Sequence, residues 1–137
     1  TLENGPLEVV PGSHKKDIYS LWHNGVFTGA VDDEVEERAR KNAVKCTGKA
    51  GDACLMHTRV LHGSLPNKTN VPRCLYIATY ASEDSIALDR NHLPSKYDGE
   101  IVRGRRTGTV RASSYHMEMP EYPEEASFFN QQSKTVA

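Results

Sequence analysis

The sequence predicts a mainly β domain with short helical decorations. Two observations carry this. The apolar residues fall in short runs of strand length, Leu7–Val10, Ala43–Thr47, Ala53–Met56 and Cys74–Thr79, the first two bounded on both sides by Gly, Pro or Asn. Only one stretch, Val31–Asn42, has the length, acidic start and basic end of a good helix.

Taken in order, Asn4-Gly5 is a turn signal, Leu7–Val10 a short strand, and Pro11-Gly12-Ser13-His14 a second turn. Lys15–Trp22 is expected to form a brief helix with Ile18, Leu21 and Trp22 on one side. Val31–Asn42 follows, capped by Asp32 or Asp33, with Arg38, Arg40 and Lys41 at the end where the helix dipole favours cations. Its apolar stripe of Val31, Val35 and Ala39 is narrow, which makes it a surface helix. Ala43–Thr47 is the next strand and Gly48–Asp52 a tight turn. The block Gly51–Tyr80 is expected to hold two strands, Ala53–Met56 and Cys74–Thr79, joined by a polar turn. Beyond it, Asp84–Asn91 reads as a short helix and His92–Gly99 as a loop. One domain is expected over residues 1–115, with an extended or partly ordered tail over 116–137.

Composition narrows the function classes. At 137 residues the chain suits one domain with its own core. The net charge of −1 favours no polyanionic partner. Arg103, Arg105, Arg106 and Arg111 come without a row of stacking aromatics, so nucleic-acid binding is not expected. No run of about 18 apolar residues exists to span a membrane as a helix, and no secretory leader is visible. Cys46, Cys54 and Cys74 match neither a zinc pattern nor a disulfide framework, as in a reducing cytoplasm. The chain starts at Thr1 inside an ordered turn and without Met, which reads as a piece of a longer protein.

The chemistry concentrates around His62 and Arg73. His62 lies at the end of an apolar run, just before Gly63 and Ser64, where a neutral imidazole is a good ligand for a first-row metal. Arg73 follows eleven residues later, and its planar fork suits a carboxylate. A hairpin between them would aim both into one cavity. On spacing alone such a pair is more often structural. His57 lacks the cysteines a zinc finger needs and is expected in a core or hydrogen-bonded role. His14 reads as part of a structural turn, and His23 and His92 sit in loops. His116-Met117-Glu118 is the one His-x-Asp/Glu triplet, and it lies after His62.

Residues 4–15, Asn-Gly-Pro-Leu-Glu-Val-Val-Pro-Gly-Ser-His-Lys, together with Gly51-Asp52, His57, His62-Gly63-Ser64, Asn67 and Pro72-Arg73, resemble two segments of the phytanoyl-CoA dioxygenase family. The resemblance covers about residues 4–15 and 51–80 in matching order. It implies a non-haem Fe(II), 2-oxoglutarate-dependent oxygenase on a double-stranded β-helix (jelly-roll, cupin-like), incomplete at its N-terminus. His62 would be the distal histidine of a two-His, one-carboxylate triad. Arg73 would bind the far carboxylate of 2-oxoglutarate, with Ser64 assisting. The reaction would couple decarboxylation of 2-oxoglutarate to succinate with hydroxylation of a small organic or acyl substrate. The family's other two ligands, a His-x-Asp pair, lie upstream of the Asn-Gly turn, where this chain has only Thr1, Leu2 and Glu3. The chain alone is therefore expected to be inactive. Half a β-helix leaves open sheet edges, so a homodimer or larger assembly is expected to cover them. The alternative is a non-catalytic β-sandwich module with an anion pocket at Arg73.

Overall fold

The computed structural model describes residues 1–91, 93–114 and 116–123. They form mostly small antiparallel sheets with one α-helix, the β-rich class expected. Two compact units can be separated. The first comprises Thr1–Ser20 and Val31–Tyr76, and the second Leu21–Ala30 and the described residues from Ile77 onward.

In the first unit, β1 (Leu7–Val9) is the middle strand of a three-stranded sheet. On one side it pairs antiparallel with β4 (Val44–Cys46), Leu7 opposite Cys46 and Val9 opposite Val44. On the other it pairs antiparallel with β5 (His62–Ser64), Leu7 opposite Ser64 and Val9 opposite His62. Because side chains alternate along a strand, Cys46, Leu7 and Ser64 share a face with Val44, Val9 and His62. Gly12, in the left-handed region at φ 79°, turns the chain from β1 into a single 3-10 turn over Ser13–Lys15.

Helix α1 (Asp33–Asn42) begins where the charge pattern placed it. Asp32 caps it by accepting the Val35 N–H at 2.8 Å, and acids fill its first turn. Glu36–Arg40 and Glu37–Lys41 link successive turns of its exposed side. Val35 is the buried hydrophobic residue of this helix, 6% exposed.

In the second unit, β2 (Trp22–His23) and β3 (Val26–Phe27) form a hairpin. Its turn is Asn24-Gly25, both at positive φ (53° and 77°), the backbone that a two-residue turn between twisted strands demands. Trp22 packs edge-on against Phe27 with ring centroids 5.3 Å apart, and Phe27 is buried. Trp22 therefore belongs to a strand. The expected helix over Lys15–Trp22 is not formed: a 3-10 turn ends at Lys15, residues 16–21 are irregular, and the hairpin claims Trp22.

Two further expectations are corrected. Ala53–Met56 and Cys74–Thr79 are not strands. Leu55 is 95% exposed and Tyr76 90% exposed. A strand is stabilised by a neighbour's ladder, and among the described residues these runs have none. The strand of the block is instead His62–Ser64, which starts at the end of the apolar run before the polar turn and runs into that turn. Asp84–Asn91 forms no helix: the side chains of Ser82, Asp84 and Ser85 bond within a local turn, and Asp84 accepts from Arg111. Of the tail, residues 116–123 belong to no helix or strand, and residues 124–137 lie outside the described residues. No described helix is long and apolar enough to cross a membrane.

Candidate metal and 2-oxo acid site

The start of β5 is fixed through both backbone groups of one residue, Leu61. The Val10 N–H donates to the Leu61 carbonyl at 2.9 Å. The Leu61 N–H donates to the Ser13 hydroxyl at 2.8 Å, and that hydroxyl donates to the Val10 carbonyl at 2.8 Å. Ser13 is 4% exposed. The Pro11–His14 turn thus clamps the residue immediately before His62. A second tie runs between the same segments: the Arg59 guanidinium donates to the Lys16 carbonyl at 2.9 Å, and the His14 and His57 rings stack at 5.3 Å. His57 Nδ1 accepts the Arg59 N–H at 3.1 Å, and His14 Nδ1 is buried without a hydrogen-bond partner. His57 is therefore a supporting residue of the turn, as expected.

His62 is exposed on the sheet, with its Nδ1 2.8 Å from the Val60 carbonyl oxygen. A carbonyl can only accept, so Nδ1 carries the proton and Nε2 keeps its lone pair. This is the arrangement by which a backbone carbonyl fixes the tautomer and orientation of a metal-binding imidazole. Ser64 projects from the same face two residues along.

Arg73 is brought back to the far end of β1 by a side-chain-closed loop. Asn67 donates to the Val71 carbonyl at 2.8 Å and accepts the Thr69 N–H at 2.9 Å, and the Lys68 N–H donates to the Glu3 carbonyl at 2.9 Å. Arg73 Nη1 then donates to the Gly5 carbonyl oxygen. Gly5 has φ 74°, and a Cβ there would collide with the Leu65 carbonyl, so only glycine allows this approach of the two segments. Along β1 the order is His62 beside Val9, Ser64 beside Leu7, and Arg73 at Gly5. β1 therefore sets His62 and Ser64, and the turn before it receives Arg73.

The remaining histidines stand apart. His23 Nε2 lies 2.9 Å from the Ala30 carbonyl oxygen in the second unit. His92 lies outside the described residues. Among the described residues, no three His, Cys, Asp or Glu side chains, His116 and Glu118 included, group so as to hold a metal ion. A hollow of about 260 Å³ lies against α1, lined by Val10, Ser13, Val35, Arg38 and Leu61 among others. His62, Ser64 and Arg73 do not line it, so the candidate site is a sheet face rather than this hollow. Ser13 and Gly5 were not singled out as site-shaping residues from sequence. A hydroxyl two residues after a proline, at a turn leaving a strand, is the signal that points to Ser13.

The family model for phytanoyl-CoA dioxygenase (PhyH) matches residues 1–74, more than half of the chain. The chain belongs to the phytanoyl-CoA dioxygenase family. The matched span contains β1, the Pro11–His14 turn, β5 and Arg73. The chain is similar to a probable alpha-ketoglutarate-dependent hypophosphite dioxygenase of Stutzerimonas stutzeri, 31% identical over 127 residues, covering 88% of this chain and 43% of that protein. It is also similar to the human peroxisomal phytanoyl-CoA dioxygenase, 37% identical over 93 residues, covering 63% of this chain and 26% of that one. An L-proline trans-4-hydroxylase of Streptomyces griseoviridis is 32% identical over 96 residues, covering 58% and 36%. The chain thus spans less than half the length of these relatives. No solved structure matches it.

Proposed function

We propose that this family member contributes the distal half of an Fe(II)- and 2-oxoglutarate-dependent dioxygenase site on a double-stranded β-helix. The observation that carries this reading is the His62 imidazole, its Nδ1 tied to the Val60 carbonyl and its Nε2 left to bind a metal. Ser64 lies on the same face, and Arg73 waits at the end of the same strand pair.

The donor set fits part of the implied group. His62 supplies one metal position through Nε2. Arg73 spends Nη1 on the Gly5 carbonyl, which orients the guanidinium while its other N–H groups remain to grip the far carboxylate of 2-oxoglutarate. The Ser64 hydroxyl adds a donor beside them. A complete triad needs a His-x-Asp pair ahead of Asn4, which the present residues do not supply. Iron and 2-oxoglutarate, when bound, supply dioxygen activation for hydroxylation of a substrate carbon. Residues of this chain supply orientation: Val60 and Ser13 hold the imidazole, and Gly5 holds the arginine. The substrate class is a small organic or acyl molecule, as with the relatives named for phytanoyl-CoA and L-proline.

The test is succinate formation from 2-oxoglutarate by a chain that carries a His-x-Asp pair upstream of Asn4. His62→Ala should reduce turnover by about 100-fold or more. Arg73→Leu removes charge-assisted bonds worth about 1.5–3 kcal/mol, so half-saturation should need about 10- to 100-fold more 2-oxoglutarate. No succinate from the parent chain carrying that pair would remove the catalytic reading in favour of a non-catalytic anion-binding module, and unchanged turnover in both variants would remove His62 and Arg73 from the site.

A further inference from the structure

Two of the three thiols are brought together by the turn that follows β4. The chain leaves Cys46, turns at Ala50-Gly51 and comes back through Asp52. The turn is closed twice: the Asp52 N–H donates to the Lys49 carbonyl at 3.1 Å, and the Asp52 carboxylate accepts the Lys49 N–H at 2.8 Å. Gly51, at φ 95°, supplies the left-handed residue this reversal needs. Gly48 then lies directly against Asp52, where a Cβ on Gly48 would come within 3.2 Å of the Asp52 Cβ. Cys46 and Cys54 lie two residues further out along each arm from the close approach of Gly48 and Asp52. Cys46 is half-buried at the end of β4, and Cys54 is exposed. Burial and then the adjacent Cys54 thiol, through charge repulsion and a hydrogen bond, push the Cys46 thiol up. A disulfide needs Cα atoms about 4.4–6.8 Å apart, and the fold-back that sets Gly48 against Asp52 and the Cys54 thiol beside Cys46 brings the two arms together on that scale.

We infer that Cys46 and Cys54 are a dithiol that closes to an intrachain disulfide when the protein meets hydrogen peroxide. The exposed Cys54 attacks first as thiolate. Its sulfur takes one peroxide oxygen, the O–O bond breaks, and hydroxide leaves as water on protonation. Cys46 then attacks the sulfur of the Cys54 sulfenic acid, its proton leaving with the displaced hydroxide as a second water. Two thiols and one hydrogen peroxide give one disulfide and two waters. The crosslink ties the returning segment to β4, an edge strand whose partner β1 also pairs with the strand bearing His62. The pair needs no metal, so it is independent of the proposed iron chemistry.

Trypsin cuts after Lys45, Lys49 and Arg59 and so separates the two cysteines. Whole protein treated with hydrogen peroxide should yield the 46–49 and 50–59 peptides joined, with two hydrogens lost, on a chain that runs as a monomer without reductant. Dithiothreitol should release them, and Cys74→Ser should behave identically. Cys46→Ser should instead accumulate Cys54 sulfenic acid that dimedone traps. The inference is overturned if unsubstituted protein gives Cys54 sulfinic or sulfonic acid beside a free Cys46. Crosslinks to Cys74 or to a second copy as the main product would overturn it equally.

Discussion

The Ser13 hydroxyl does more to place His62 than any residue next to it in sequence. It is buried, accepts the Leu61 N–H, and donates to the Val10 carbonyl, so one atom joins the turn after β1 to the peptide before β5. Removing it leaves the Leu61 N–H short of its acceptor in a part-buried place, which costs about 1–3 kcal/mol. Ser13→Ala should lower stability by that amount in a urea titration, and Ser13→Thr, which keeps the hydroxyl, should cost distinctly less. Equal stability of Ser13→Ala and the parent would mean that the clamp is not formed in solution. At this scale sequence and structure diverge in an instructive way. The sequence singles out His62 and Arg73 as candidates, but which backbone atoms orient them is a matter of contacts with residues 5, 13 and 60, two of them far away along the chain.

At the scale of elements, what could be read was what is locally determined. β1, α1 with its Asp32 cap, β4 and the Gly48–Asp52 turn each follow from signals within a few residues. The Asn24-Gly25 turn signal is present in the sequence too, but two-residue strands are too short to show alternation, and of this hairpin only Trp22 and His23 are read, as helix end and loop. Ala53–Met56 and Cys74–Thr79 misled because composition reports a tendency to pair, whereas a ladder needs a partner. In the second unit, local chemistry also sets a titration. The Thr107 hydroxyl (2.7 Å) and N–H (3.0 Å) bond the exposed Glu83 carboxylate and hold it below its usual 4.5, with Arg106 aiding. The Ser82 hydroxyl, then Arg111, hold Asp84 below its usual 3.8. A carboxylate depressed in the folded state favours folding above its unfolded value, and the benefit goes as pH falls through the folded value. The ties of this loop should therefore loosen below about pH 4. Thr107→Val, which keeps the backbone bond and loses the hydroxyl, should bring Glu83 back up toward 4.5 in a carboxyl-detected NMR titration. No movement would contradict the assigned cause.

At the scale of the molecule, the described residues bury few apolar side chains, Phe27 and Val35 being the hydrophobic ones, while Leu55, Tyr76 and Ile77 are largely exposed. β4 and β5 are both edge strands of the first unit's sheet. Open edges beside exposed apolar runs favour pairing with another chain. We therefore expect a concentration-dependent homodimer by light scattering, and a stable monomer across micromolar concentrations would count against it.

The central claim is that His62 and Arg73 serve one 2-oxoglutarate site. It is tested most directly by titrating 2-oxoglutarate, with and without Mn(II) and without oxygen, into a chain carrying an upstream His-x-Asp pair. Metal should tighten binding in the parent and fail to do so in His62→Ala, while Arg73→Leu should weaken binding with and without metal. Equal binding in all three proteins, or metal-enhanced binding that survives His62→Ala, would contradict it.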